Sequence, residues 1–84
     1  MGETKELIQM KPGEHGVVRE IHGDRELTQR MMVLGLRPGS RLVVLNNPRN
    51  GPLLLQVGDT RLAIGRGEAG GVMIAEGDEE DTDE

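Results

Sequence analysis

No phenylalanine, tyrosine, tryptophan or cysteine occurs in this chain. Aromatic rings normally supply much of the buried area of cores and interfaces. Disulfides and thiolate metal sites are the usual reinforcement of short chains. Both are excluded here, so the interior must be filled by Leu, Val, Ile and Met. With 84 residues, the chain suffices for one domain with one modest apolar core and excludes a second domain.

The order of apolar positions and turn residues points to strands. Leu7, Ile8 and Met10 precede Lys11-Pro12-Gly13, a Pro-Gly pair suited to the centre of a type II turn. From His15 to Ile21, the residues Val17, Arg19 and Ile21 alternate with Val18 and Glu20, a period of two that favours a pleated strand. Asp24 is placed to cap a helix on which Leu27, Met31 and Leu34 share one face, and Gly35 supplies the left-handed residue that ends it. Arg37-Pro38-Gly39 forms a second Pro-Gly turn before a strand from Arg41 to Leu45. The stretch from Asn46 to Pro52 is a loop, and Leu53, Leu55 and Val57 form the inward row of the next strand. Gly58-Asp59 predicts a type I′ or II′ hairpin into a strand from Thr60 to Ile64. A last short strand carries Val72 and Ile74. About five short strands with one short helix inserted after the first predict a mainly β chain forming a small, partly open barrel.

Charge divides the chain unevenly. The formal net charge is −5, but Glu76, Asp78, Glu79, Glu80, Asp81, Asp83 and Glu84 supply seven of the 15 acidic residues, leaving eight against ten Lys and Arg. The folded part is therefore slightly basic. Residues 77–84 read as a solvated, disordered acidic tail, since such a run repels itself and has little apolar surface to bury. Residues 1–6 read as an N-terminal extension and residues 7–76 as the domain. No apolar run approaches the roughly 20 residues that a membrane span requires. Nor does a basic segment followed by an apolar stretch open the chain. The chain reads as cytoplasmic, with no direct membrane insertion.

The residues that could carry chemistry are few. His15 and His22 stand an odd number of positions apart, which on one strand sends them to opposite faces. They cannot share a metal within that strand, and His22 beside Asp24 reads as a solvated turn, so no metal site is expected. Glu14, Glu20, Glu26, Asp59 and Glu68 fall at turns, outward strand positions or a helix start, where charges meet water. No nucleophile sits in a strained elbow beside a histidine, and the chain is not expected to be an enzyme. The glycine-rich segment from Gly65 to Gly71 lacks the Lys-Ser/Thr ending and long helix of a phosphate loop; it reads as a loop with one loose helical turn. Arg37, Arg41, Arg49, Arg61 and Arg66 could gather on one rim, but single-strand binding by small barrels leans on aromatic stacking, and the acidic tail would compete for the same arginines. Nucleic-acid binding is therefore not expected. The missing rings also exclude a proline-rich peptide groove. What remains is aliphatic surface: if Met31 faces the interior, Met32 points away from it, and a patch of Met32 and Leu36 between Arg30 and Arg37 has an apolar centre and a charged rim. The bland alternative is that Met32 and Leu36 close the open end of the barrel.

The ordered set of Leu7, Met10-Lys11-Pro12-Gly13, Val17-Val18 to Ile21, Leu27 to Arg30 and Met31 to Gly39 resembles FeoA, the small accessory protein of bacterial ferrous iron transport. Its central signature, a helix running into Leu-Gly-Leu/Met-x-Pro-Gly, stands at Leu34 to Gly39, with Gly51-Pro52, Glu68-Ala69 and Val72-x-Ile74 following. The sequence departs from the pattern at Gly65, where the family commonly carries a bulky polar residue. Gly67, Gly70 and Gly71 loosen what is usually a firmer short helix.

The resemblance implies an SH3-like barrel and a non-enzymatic adaptor that contacts the cytoplasmic part of the FeoB iron transporter. Its partner-binding residues would be Arg30, Met32, Leu34, Gly35, Leu36, Arg37, Pro38 and Gly39. It implies no resident cofactor and leaves room only for weak or transient ferrous iron binding and for self-association. The alternative is a metal-responsive regulatory domain related to the terminal domain of iron-dependent repressors, although the chain carries no helix-turn-helix segment.

Overall fold

A computed structural model describes residues 4–77. Strands β1 (Thr4–Glu6), β2 (His15–Ile21), β3 (Arg41–Asn46), β4 (Leu53–Val57), β5 (Thr60–Ile64) and β6 (Val72–Glu76) form one antiparallel sheet in the order β1-β6-β2-β3-β4-β5. Helix α1 (Arg25–Val33) lies between β2 and β3, and the single turn α2 (Arg66–Ala69) lies between β5 and β6. A 3-10 turn at Leu7–Gln9 follows β1. The expected mainly β class forms, and the helix expected after the first strand follows the second, because β1 precedes β2.

Alternation explains the core. Leu42 and Val44 of β3, Leu53 and Leu55 of β4, Leu62 and Ile64 of β5, and Val72 and Ile74 of β6 all turn inward. Met31 from α1, Leu7 and Met10 from the first turn, Leu36 and Ala69 fill the remaining volume. Among the described residues no polar or charged side chain is buried, so inside the core only backbone groups require hydrogen-bond partners, and the sheet supplies them. Each fully buried aliphatic side chain contributes about 2 kcal/mol against the entropy of ordering it.

The sixth strand has no counterpart in the expected five. Thr4, Lys5 and Glu6 lack any apolar alternation, yet they pair with Ala75, Ile74 and Met73. Their backbone groups complete the free edge of β6, so these residues belong to the domain rather than to an extension. The expected disordered tail lies outside the described residues except for Gly77, whose N–H donates to the His15 carbonyl at 2.9 Å.

Strand β2 also differs from a simple alternation. Its register against β6 shifts between Val18 and Glu20, leaving Arg19 as an extra residue. Such a bulge changes which side chains share a face: Val18 and Ile21 pack against the core, whereas Val17 lies outside the core cluster. A second shift, between Val44 and Asn46, makes Leu45 the extra residue of β3. The β4–β5 hairpin turns at Gly58-Asp59 with positive φ at Gly58 alone, which selects type II′ over I′.

Gly16 occupies an inward position of β2 where a side chain would stand on Val18's side of the sheet. A Cβ there would run into Ile74 Cγ2 and lie 3.3 Å from Met10 Cε. Ile74 and Met10 take the space that the glycine vacates. Gly16→Ala is therefore expected to lower stability by about 2 kcal/mol through overpacking, read as an earlier midpoint in urea unfolding with an unchanged slope.

Candidate functional site

The end of α1 is built by two caps. Asp24 Oδ1 accepts from the Leu27 N–H at 2.9 Å and fixes the start of the helix. At the other end the Leu36 N–H donates to the Met31 carbonyl at 2.8 Å and the Gly35 N–H to the Met32 carbonyl at 3.0 Å. This double bond pattern is the Schellman motif, and it needs a left-handed residue at Gly35, whose φ is +99°. The motif folds Leu36 back beside Met31, and both are fully buried.

The expected contact patch is therefore split. Leu36 belongs to the core and is not available at the surface, because the turn after the helix carries it inward. Leu34, expected on the inward face with Leu27 and Met31, is the helix C-cap and is 37% exposed. Met32 points outward as expected, 53% exposed, and Val33 beside it is 85% exposed. Val33 was not singled out from the sequence, although its phase on the helix, two residues beyond Met31, places it opposite the core. Met32, Val33 and Leu34 form a continuous apolar stretch, and a shallow depression is lined by Gln29, Met32 and Val33.

The turn that follows is tied down. Ser40 Oγ donates to the Gly35 carbonyl at 2.9 Å and accepts from the Arg37 N–H at 3.1 Å. The Gly39 N–H reaches the Val18 carbonyl at 2.8 Å, joining the turn to β2. Arg37, Pro38 and Gly39 remain exposed on its outer side, while Gly35 is half-buried. Arg30 is already engaged: its Nη1 lies 2.6 Å from Glu68 Oε2, linking α1 to α2. Glu68 also accepts from the Gly65 N–H through Oε1 at 3.1 Å, capping α2.

Arg66, considered with the arginine rim, is committed elsewhere. Its Nη1 donates to Asn47 Oδ1 at 2.8 Å, to the Pro48 carbonyl, and to the Gly51 carbonyl at 3.4 Å. Asn47 Nδ2 in turn donates to the carbonyls of Met10 at 2.7 Å and Ile8 at 3.0 Å. The glycine-rich segment expected to be loose is thus a defined helical turn held at both charged positions. Neither long-range contact leaves a signal in the sequence.

The histidines do not converge. His22 Nε2 sits 2.7 Å from Glu20 Oε1, both exposed, rather than pairing with Asp24, which is occupied as a cap. Among the described residues no three His, Asp or Glu side chains come together as a metal-ligating group. Near the chain ends, Lys5 Nζ lies 2.8 Å from Glu76 Oε2 and 3.6 Å from Glu14 Oε1. The hydrogen bond with Glu76 raises the Lys5 pKa. The Lys11 N–H donates to Glu14 Oε1 at 2.8 Å and holds the Glu14 carboxyl below its ordinary value.

The FeoA domain family model matches residues 5–76. The chain belongs to the FeoA domain family. An Fe(2+) transport protein A of Methanocaldococcus jannaschii is 36% identical over 64 residues, 76% of this chain and 77% of that protein. A crystal structure of an iron uptake regulatory protein, also named FeoA, superposes with a TM-score of 0.85 at 38% identity, covering 88% of this chain and 99% of that one. The zinc-complexed FeoA of Stenotrophomonas maltophilia, described as an SH3 domain protein, gives 0.71 at 27% identity over 83% of this chain and 88% of that one. The fold is SH3-like, and the FeoA family is involved in ferrous iron transport. The same fold occurs in a manganese-dependent transcriptional repressor (TM-score 0.84, 19% identity, 90% of this chain and 43% of that chain), a likeness of fold alone.

The split patch makes opposite demands on neighbouring residues. Leu36→Ala is expected to cost roughly 3 kcal/mol by leaving a cavity, whereas Met32→Asp is expected to change stability by no more than about 0.5 kcal/mol; urea unfolding of the two variants measures both. The Glu14 contribution to stability is present above its unfolded value near 4.5 and is lost as pH falls through the lower folded one. The Lys5 contribution is present below 10.5 and is lost as pH rises through the higher folded value. Lys5→Gln is expected to abolish the alkaline loss and shallow the acid one in unfolding midpoints measured across pH.

Proposed function

We propose that this FeoA-family chain is a non-enzymatic accessory protein of ferrous iron uptake that acts by contacting the cytoplasmic part of the FeoB transporter. The observation that carries this reading is the run of exposed Met32, Val33 and Leu34 at the end of a helix whose caps hold it rigid. Presenting consecutive aliphatic side chains to water is unfavourable, and it becomes useful when a partner covers them. A stable interface buries roughly 800 Å² on each partner, so these three residues serve as its centre, with the outer side of Arg37, Pro38 and Gly39 in the rim. Arg30 is neutralised by Glu68, which leaves Arg37 to steer an acidic surface into register. No helix among the described residues is long and apolar enough to cross a membrane, in keeping with an action through a transporter rather than as one.

Ferrous iron, on this reading, is the transporter's cargo and not a resident cofactor of this chain. The competing reading, a metal-responsive regulatory domain, draws on the repressor's fold. The two separate under anaerobic titration with ferrous iron followed by NMR: the adaptor reading expects the His15 and His22 resonances to stay unmoved, and saturable shifts in both would favour the regulator.

Capture of FeoB from detergent-solubilised membranes tests the contact directly. Met32→Asp and Val33→Asp are expected to lose the transporter while keeping the parent's circular dichroism melt. Undiminished capture by both folded variants would remove the apolar stretch from the interface.

A further inference from the structure

We propose that Asn50 is a self-modification site: its side-chain amide is displaced by the backbone nitrogen of Gly51 in the folded chain, and the resulting isoaspartate releases the loop from Arg66. The chain has three asparagines, all in one stretch, and they are not equivalent. Asn47 is held through both side-chain atoms, Nδ2 by the carbonyls of Ile8 and Met10 and Oδ1 by Arg66. It also precedes Pro48, whose nitrogen has no proton to lose. Asn46 ends β3 and precedes a residue with a side chain. Asn50 is exposed in a turn and precedes a glycine.

Each of these features favours one step of the reaction. The Gly51 nitrogen, once deprotonated, attacks Asn50 Cγ; the new C–N bond forms, the Cγ–Nδ2 bond breaks, and ammonia leaves with the proton. Gly51 has no Cβ to crowd the closing succinimide. Among the described residues none accepts a hydrogen bond from the Gly51 N–H, so no bond is lost on deprotonation. Water then opens the ring at either carbonyl, giving aspartate or isoaspartate. The only co-reactant is water, and Asn50 stands in it.

The consequence follows from what holds the loop. Arg66 Nη1 reaches the carbonyls of Pro48 and Gly51, on either side of the modified residue. Isoaspartate inserts a methylene into the main chain just before Gly51 and adds a negative charge beside the exposed Arg49. The Gly51 carbonyl moves away from Arg66, and α2 loses part of its anchor while the strands keep theirs.

The test incubates the full chain at mildly alkaline pH, folded and in urea, with isoaspartate followed by enzymatic methyl transfer to its free carboxyl and by peptide mapping. The folded chain is expected to convert at Asn50 at a rate comparable with the unfolded one. Asn46 and Asn47 should stay intact, and Asn50→Gln, whose ring would be one atom larger, should abolish the signal. Amide exchange in the separated isoaspartate form should quicken at residues 47–52 and 65–70 and remain unchanged in the strands. Protection of Asn50 in the folded chain, or a signal that persists in Asn50→Gln, overturns the site. Unaltered exchange in the modified form overturns the release of the loop.

Discussion

The helix reversal at Gly35 is the interaction on which both the fold and its surface depend. Two hydrogen bonds, from Leu36 to Met31 and from Gly35 to Met32, satisfy carbonyls that the end of a helix would otherwise leave open. In doing so they assign opposite fates to adjacent apolar residues. Leu36 is carried under the helix into the core, and Met32, Val33 and Leu34 are left outside. One backbone conformation therefore closes the aliphatic interior and creates the apolar exterior, so substitutions a few residues apart affect different properties.

Around this reversal the chain relies on a small number of polar ties between distant segments. Arg30 to Glu68 joins α1 to α2, and Arg66 through Asn47 joins α2 to the loop before β4 and to the turn after β1. Surface ion pairs contribute little energy each, and the stability of the domain rests on buried aliphatic area. The half-buried contacts of Arg66 instead fix position: a planar guanidinium that meets carbonyls and an amide oxygen together restrains a loop that the apolar core does not reach. Without aromatic rings to wedge segments apart, these ties hold the periphery of the sheet in place.

Much of the fold was legible in the chain itself. The strand limits at His15–Ile21, Leu53–Val57 and Thr60–Ile64, the Asp24 cap and the Gly58 turn all follow from local chemistry, because alternation, capping and turn geometry involve residues close in sequence. The central signature from Leu34 to Gly39 coincides with the helix reversal and the turn after it. It did not tell which of its leucines faces inward, since helical phase puts Leu34 with Met31 and only the Schellman turn substitutes Leu36. Strand β1 was invisible because Thr-Lys-Glu is recruited through its backbone by the open edge of β6, not through its side chains. The bulge at Arg19 was likewise hidden, being a property of the pairing between β2 and β6 rather than of β2 alone.

By itself the sequence determined the materials and the local turns: an interior limited to aliphatic side chains, strands set by a period of two, a capped helix and glycine-dependent reversals. Only the tertiary structure decided which apolar residues are covered, which arginines are engaged and which residues close the edge of the sheet. The reason is one of range. Caps and hairpins form between residues a few positions apart, whereas Arg30 and Glu68, Arg66 and Asn47, and Thr4 and Ala75 meet only after the chain has folded across the sheet and closed the loops between them.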